Sequence, residues 1–139
     1  MPNGLDMQYS AVNMHYNLGR ALLYKANSKE AMVHLSKTVS LAPNHAQAHY
    51  WLALALADQG KFDQTLKHYS KAIQLNPGVD TSATLNYLLG KHYAEARRFR
   101  EAVVFEEKAF RLAQAAGDVK FTQEIKKWLD IYKQLSNSP

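Results

Sequence analysis

The chain has 139 residues, about one domain's worth. It holds no cysteine, which removes disulfides, thiolate metal sites and cysteine nucleophiles together. Its formal net charge of +5 is a mild basic bias, and the Lys and Arg residues are spread along the chain rather than gathered in one run, so nucleic acid is not an expected partner.

Pro2, Asn3 and Gly4 do not favour structure, and residues 1–7 are expected to be loose. The opening MPNGLDMQYS has neither the basic head nor the apolar core of a signal peptide. No apolar run approaches the ~18 residues of a membrane span, so no membrane insertion is expected. The expected compartment is the cytoplasm, with the periplasm or the tail of a membrane protein as alternatives.

A first helix is expected from about Gln8 to Lys25, and a second to about Leu41. Asn27-Ser28 turns the chain between them, with Ser28 as N-cap. Ala42-Pro43-Asn44 breaks the second helix, and Asn44 can cap the next. Two amphipathic runs follow, Ala46–Asp58 and Phe62–Leu75, separated by Gln59-Gly60-Lys61 and closed by Asn76-Pro77. Leu52, Leu56, Leu66, Tyr69 and Ile73 recur on them at helical spacing. Asp80 or Thr81 can cap a fifth helix running to about Ala96. Arg97-Arg98 turns the chain into a sixth helix, Phe99 to about Ala116, which Gly117 stops. Asp118 caps a seventh helix, Val119 to about Leu135, with Phe121, Ile125, Trp128, Leu129, Tyr132 and Leu135 on one stripe.

One helix pair cannot bury its own apolar face, so the question is whether it repeats. Sliding the sequence by 34 residues lays Pro43 on Pro77, Leu18 on Leu52, Gly19 on Ala53, His15 on His49 and Thr38 on Ala72. Sliding the other way by 37 residues lays Leu89 on Leu52, Gly90 on Ala53, Phe99 on Phe62 and Ala109 on Ala72. The three extra residues fall in the turn-rich stretch Gly78–Ser82, where an insertion is cheap.

These residues resemble the tetratricopeptide repeat. The large–small pairs Leu18-Gly19, Leu52-Ala53 and Leu89-Gly90 carry the likeness, with small residues in mid second helix and a Pro closing the first two repeats. His15, His49 and Asn86 depart from it, standing where the family has a large apolar residue, and Glu106 stands where the other repeats have Leu35 and Tyr69. The resemblance implies an all-α fold, an α-solenoid of three helix pairs in a right-handed superhelix. Its repeats would be residues 12–45, 46–79 and 83–116 of one domain spanning 1–139, with residues 118–135 as a C-terminal capping helix that covers the open apolar end. The N-terminal end has no such cap. The closing segment also resembles the tails of bacterial tetratricopeptide proteins.

In such arrays the first helices of each pair line the concave side. Each first helix here has a second stripe at the spacing i, i+3, i+4, i+7, i+11. These stripes are Asn13, Tyr16, Asn17, Arg20 and Tyr24; Gln47, Tyr50, Trp51, Leu54 and Asp58; and Thr84, Tyr87, Leu88, Lys91 and Glu95. Tyr16, Tyr50 and Tyr87 share a column. Either they form an aromatic row for a peptide, or they pack between neighbouring first helices. Trp51 with Arg20 is the stronger candidate, because aromatic–Arg groups mark binding hot spots. Asn17 could hold a peptide main chain. Some family members clamp the acidic tails of heat-shock chaperones with Lys, Asn and Arg. The matching positions Tyr16, Arg20, Trp51, Thr84 and Leu88 lack those residues, apart from the charge of Arg20, so that ligand is not expected.

His45 and His49 are four apart and could share a helix face, but no third metal ligand stands at useful spacing. His15 and His49 repeat at 34 residues, as do His34 and His68, which marks them as parts of the repeat. No phosphate loop, nucleophile elbow or paired catalytic carboxylates appear. The expected function is a non-catalytic module that binds a peptide or protein segment, with no cofactor and no metal. Two alternatives are self-assembly through the uncapped N-terminal repeat, and a regulatory or docking tail of a larger bacterial enzyme, membrane-bound or not.

Overall fold

A computed structural model describes residues 4–138 of the chain. Among the described residues there are seven α-helices and no strand. The helices are α1 (Gly4–Tyr24), α2 (Ser28–Leu41), α3 (Ala46–Asp58), α4 (Phe62–Leu75), α5 (Ala83–Glu95), α6 (Phe99–Ala115) and α7 (Val119–Ser136), with a single 3-10 turn at Pro77–Val79. The all-α repeat fold is therefore as expected.

Several boundaries differ from expectation by a residue or more. Helix α1 begins at Gly4, so residues 4–7 of the expected loose stretch are helical, with Asp6 in the first turn where a carboxylate suits the helix dipole. Residues 1–3 of that stretch lie outside the described residues. Asn27, not Ser28, caps α2, its side chain accepting from the Glu30 N–H at 3.2 Å. His45, not Asn44, caps α3, its Nδ1 accepting from the Ala48 N–H at 3.1 Å. Ser82, not Asp80 or Thr81, caps α5 through a 3.0 Å bond from the Leu85 N–H. In each case two or three cap-forming residues stand side by side, and chain direction decides between them. Asp118 caps α7 as expected, accepting from the Phe121 N–H at 3.1 Å.

The turn inside each helix pair has one left-handed residue: Ala26 (φ 58°), Gly60 (φ 75°) and Arg97 (φ 61°). The three positions are equivalent under the repeat, yet only one is glycine. A Cβ in the left-handed region costs about 1–2 kcal/mol. Ala26→Gly and Arg97→Gly are each expected to stabilise their own helix pair by roughly 0.5–1 kcal/mol net of the added chain entropy. Urea titration checks this, and a loss of stability in both variants would contradict it.

The chain forms two compact units that meet in sequence at Asp80 and Thr81, inside the stretch that carries the insertion. In the first, α1 packs on α2, α2 on α3 and α3 on α4. Its core gathers Tyr16, Ala31, Leu35, Ala48, Leu52, Ala55 and Leu56, with Leu22, Leu23, Met32, Val39 and Trp51 packed around them. Ala53 and Ala72 are fully buried where helices pack closely. Gly19 lets α2 approach, because a Cβ there would stand 2.7 Å from Leu35 Cγ. The outer face of α1 leaves Met7, Met14 and Leu18 exposed.

In the second unit α5 packs on α6 and α6 on α7. Ile125, Leu129 and Tyr132 of α7 are buried, and Ile125 closes a cluster with Ala109 and Ala113 of α6. Leu135, expected on the same stripe, is 43 % exposed near the end of the helix. The Gly90 site repeats that of Gly19, except that the side chain crossing it is Glu106.

Candidate functional site

The stripe expected on α1 and α3 divides into two parts. Tyr16 and Tyr50 turn inward. Tyr16 is buried, its ring 4.6 Å from that of His45, and its hydroxyl donates to Gln47 Oε1 at 3.0 Å. Tyr50 is only 1 % exposed. Its hydroxyl donates to Asp80 Oδ1 at 2.9 Å, while Tyr69 of α4 donates to Asp80 Oδ2 at 2.7 Å. One carboxylate thus ties two helices through two phenols, each a charge-assisted bond. The aromatic row for a peptide is not what these two rings form; they pack and bond inside the unit.

The other part faces outward. Arg20 lies over two rings, with its guanidinium carbon 5.6 Å from the Tyr16 centroid and 5.8 Å from that of Trp51. Such stacking holds a guanidinium in place by cation–π attraction. Trp51 meets Tyr50 edge-on at 5.5 Å, which fixes the indole in turn. Arg20, Leu23, Tyr24, Trp51 and Leu54 line a cavity of about 100 Å³. Four of these five were on the expected stripes. Its walls are almost wholly apolar, and the Nε of Arg20 is buried without a hydrogen-bond partner. A buried donor without an acceptor costs about 1–3 kcal/mol. Asn13, Asn17, Gln47 and Asp58 are exposed on the same two helices.

Leu23 was missed because it lies off the stripe, three residues past Arg20. The adjacent apolar pair Leu22-Leu23 was the available signal, since only one of two neighbours can face the core fully.

On α5, Tyr87 is engaged by α7. Its hydroxyl donates to Glu124 Oε1 at 3.1 Å and its ring meets Phe121 edge-on at 5.3 Å. Burial, with Glu124 beside it, pushes its pKa up to about 12. Lys91 lies 5.4 Å over the same ring, Leu88 is half-buried, and Thr84 and Glu95 are exposed. The third stripe therefore holds no counterpart of the Arg20 and Trp51 pair.

The period-matched histidines meet each other. His15 of α1 faces His34 of α2 with Nδ1 to Nδ1 at 3.1 Å, and His49 of α3 faces His68 of α4 at 3.0 Å. Among the described residues no group of three or more His, Asp or Glu side chains could hold a metal ion. Among them, too, no helix is long and apolar enough to cross a membrane.

Comparison with known proteins agrees with the repeat fold. Tetratricopeptide repeat models match residues 12–45 and 46–79. The chain is 27 % identical over 115 residues to the Danio rerio outer dynein arm-docking complex subunit 4, an alignment covering 78 % of the chain and 24 % of that protein. The chain therefore spans about a quarter of that relative's length. In fold it is similar to pilF of Pseudomonas aeruginosa, with a TM-score of 0.55 and 21 % identity, covering 95 % of this chain and 64 % of that one. Residues 12–45 and 46–79 are thus two tetratricopeptide repeats, and repeats of this kind support a protein-interaction module.

Proposed function

We propose that the first unit binds an extended protein segment across α1 and α3, without catalysis. The segment seats one apolar side chain in the Arg20–Trp51 cavity. The observation that carries this reading is an apolar pocket lined by Leu23, Tyr24, Trp51 and Leu54 together with Arg20, whose guanidinium lies over the rings of Tyr16 and Trp51. A cavity of about 100 Å³ suits one side chain of leucine or methionine size. A backbone carbonyl or carboxylate of the same segment would accept from Arg20, and the exposed amides of Asn13, Asn17 and Gln47 would hold the main chain.

Pre-stacking of Arg20 between two rings lowers the ordering cost of binding. Panning a random peptide library on the chain tests the reading. Selected peptides should share a large apolar residue, and the double variant Arg20→Ala, Trp51→Ala should weaken them at least about 30-fold, the loss of a hot spot of ~2 kcal/mol. The circular dichroism of the variant should stay helical. Peptides that bind the variant as tightly as the parent would move the site to another face.

A further inference from the structure

Five of the six histidines of the chain lie in the first unit, and four of them form two equivalent dyads. His15–His34 closes α1 on α2, and His49–His68 closes α3 on α4, with ring centroids 5.4 and 5.3 Å apart. The hydrogens of these contacts can be counted. Two nitrogens about 3 Å apart have room for one hydrogen between them, carried by one ring and accepted by the other's lone pair.

In the second dyad the roles are assigned by a third atom. His49 Nε2 lies 2.7 Å from the carbonyl of Pro43, which can only accept. With its proton there, neutral His49 offers a lone pair at Nδ1, and His68 supplies the N–H. A further proton can enter at His68 Nε2 and leave this bond intact. A second one, at His49 Nδ1, would set two N–H groups against each other. In the first dyad the single contact is again Nδ1 to Nδ1. His45 adds a related constraint, since its Nδ1 accepts the α3 cap bond and a proton there would break the cap.

We propose that the first unit is a proton-responsive element, closed by two imidazole dyads that each hold one shared N–H and open when both rings of a dyad take up a proton. The surroundings favour this behaviour. Burial holds His68 below the ordinary 6.5, with His49 and Lys67 adding to the effect. Burial also holds His45 low, with His49 contributing. Tyr16 of α1 packs on the His45 ring. Among the described residues no carboxylate makes an ion pair with any of the five rings, so nothing there offsets a second charge.

The sign of the effect follows from linkage. Burial holds His45 and His68 low, so the folded unit takes up protons at these two rings less readily than the unfolded chain, and stability is retained above pH about 6.5 and falls as pH drops below it. Each excluded proton raises the unfolding constant by up to about tenfold per pH unit, so two dyads give up to about 100-fold. Opening would separate α1 and α3 from their partners and take apart the Arg20–Trp51 pocket.

Unfolding of the full chain in urea, read by Trp51 fluorescence in a Trp128→Phe background between pH 5 and pH 8, tests the proposal. The paired variant His34→Asn, His68→Asn keeps one imidazole per dyad, and its amides can turn an oxygen toward a charged ring. The parent should show an acid-side slope about two protons steeper than this variant, whatever the variant's absolute stability. Equal slopes would overturn the proposal. Ring nitrogen NMR of the parent gives an independent reading that needs no variant. At neutral pH one ring of each dyad should carry its proton on Nδ1 and the other should not. Finding both rings of a dyad fully charged at pH 5 in a still-folded unit would also overturn it.

Discussion

Replacing Glu106 with leucine is expected to stabilise the second unit by several kcal/mol above pH 8 and to remove most of its loss of stability with rising pH. Glu106 is fully buried, crosses over Gly90, and neither carboxyl oxygen has a hydrogen-bond partner. Burial raises its pKa from 4.5 to about 8, against the opposing pull of Lys91 on α5. Tyr87 on α5 and Tyr132 on α7 feel its charge, which adds to the burial that holds both phenols at about 12.

The folded unit thus keeps a proton that the unfolded chain releases. Stability from this group is complete below pH 4.5, is lost as pH rises to about 8, and is level beyond. A shift of this size corresponds to a loss on the order of 4–5 kcal/mol. Leucine is the natural replacement, because Leu35 crosses Gly19 in the same way in the first repeat. Urea titration at about pH 5 and pH 9, read by Trp128 in a Trp51→Phe background, measures the effect. Glu106→Gln separates ionisation from polarity, since it removes the first and keeps the second. If both variants fell with pH as steeply as the parent, another group would be responsible.

Leu35→Ala is expected to cost the first unit about 2–5 kcal/mol, and Gly19→Ala to recover part of that loss. Leu35 is fully buried and fills the space left by the missing side chain of Gly19. Removing it leaves a cavity on both helices, the mechanism behind the largest core losses. Gly19→Ala alone should overpack against Leu35 by roughly 1–3 kcal/mol, partly offset by about 1 kcal/mol of helix propensity. In the double variant the new methyl enters the vacated space. The two changes should therefore fall short of additivity by about 1 kcal/mol or more. Additive losses would mean that α1 and α2 do not meet at this pair.

Much of this was legible in the sequence. Helix positions followed from apolar spacing and from Gly and Pro punctuation, which act locally. The repeat laid Gly19 and Gly90 on the small residue Ala53, and its 34-residue period matched His15 with His49 and His34 with His68. It also aligned Ala26 and Arg97 with Gly60, so their left-handed backbone was there to be read.

What the sequence withheld was partnership across elements. Tyr16, Tyr50 and Tyr87 share a column, but whether a phenol faces solvent depends on an acceptor about 30 residues away. The fold brings Gln47, Asp80 and Glu124 to them. The Arg20–Trp51 pair escaped this fate because, among the described residues, no carboxylate pairs with Arg20. Period alone likewise showed that His15 and His34 recur, not that they touch.

The binding site on the first unit is tested most directly by chemical-shift mapping. A library-selected peptide would be titrated into the isotope-labelled full chain. The account predicts the largest shifts at the Arg20 Nε–H, the Trp51 indole N–H, and the amides of Leu23, Tyr24 and Leu54. Shifts confined to α7, or to the outer face of α1 around Met7 and Met14, would contradict it.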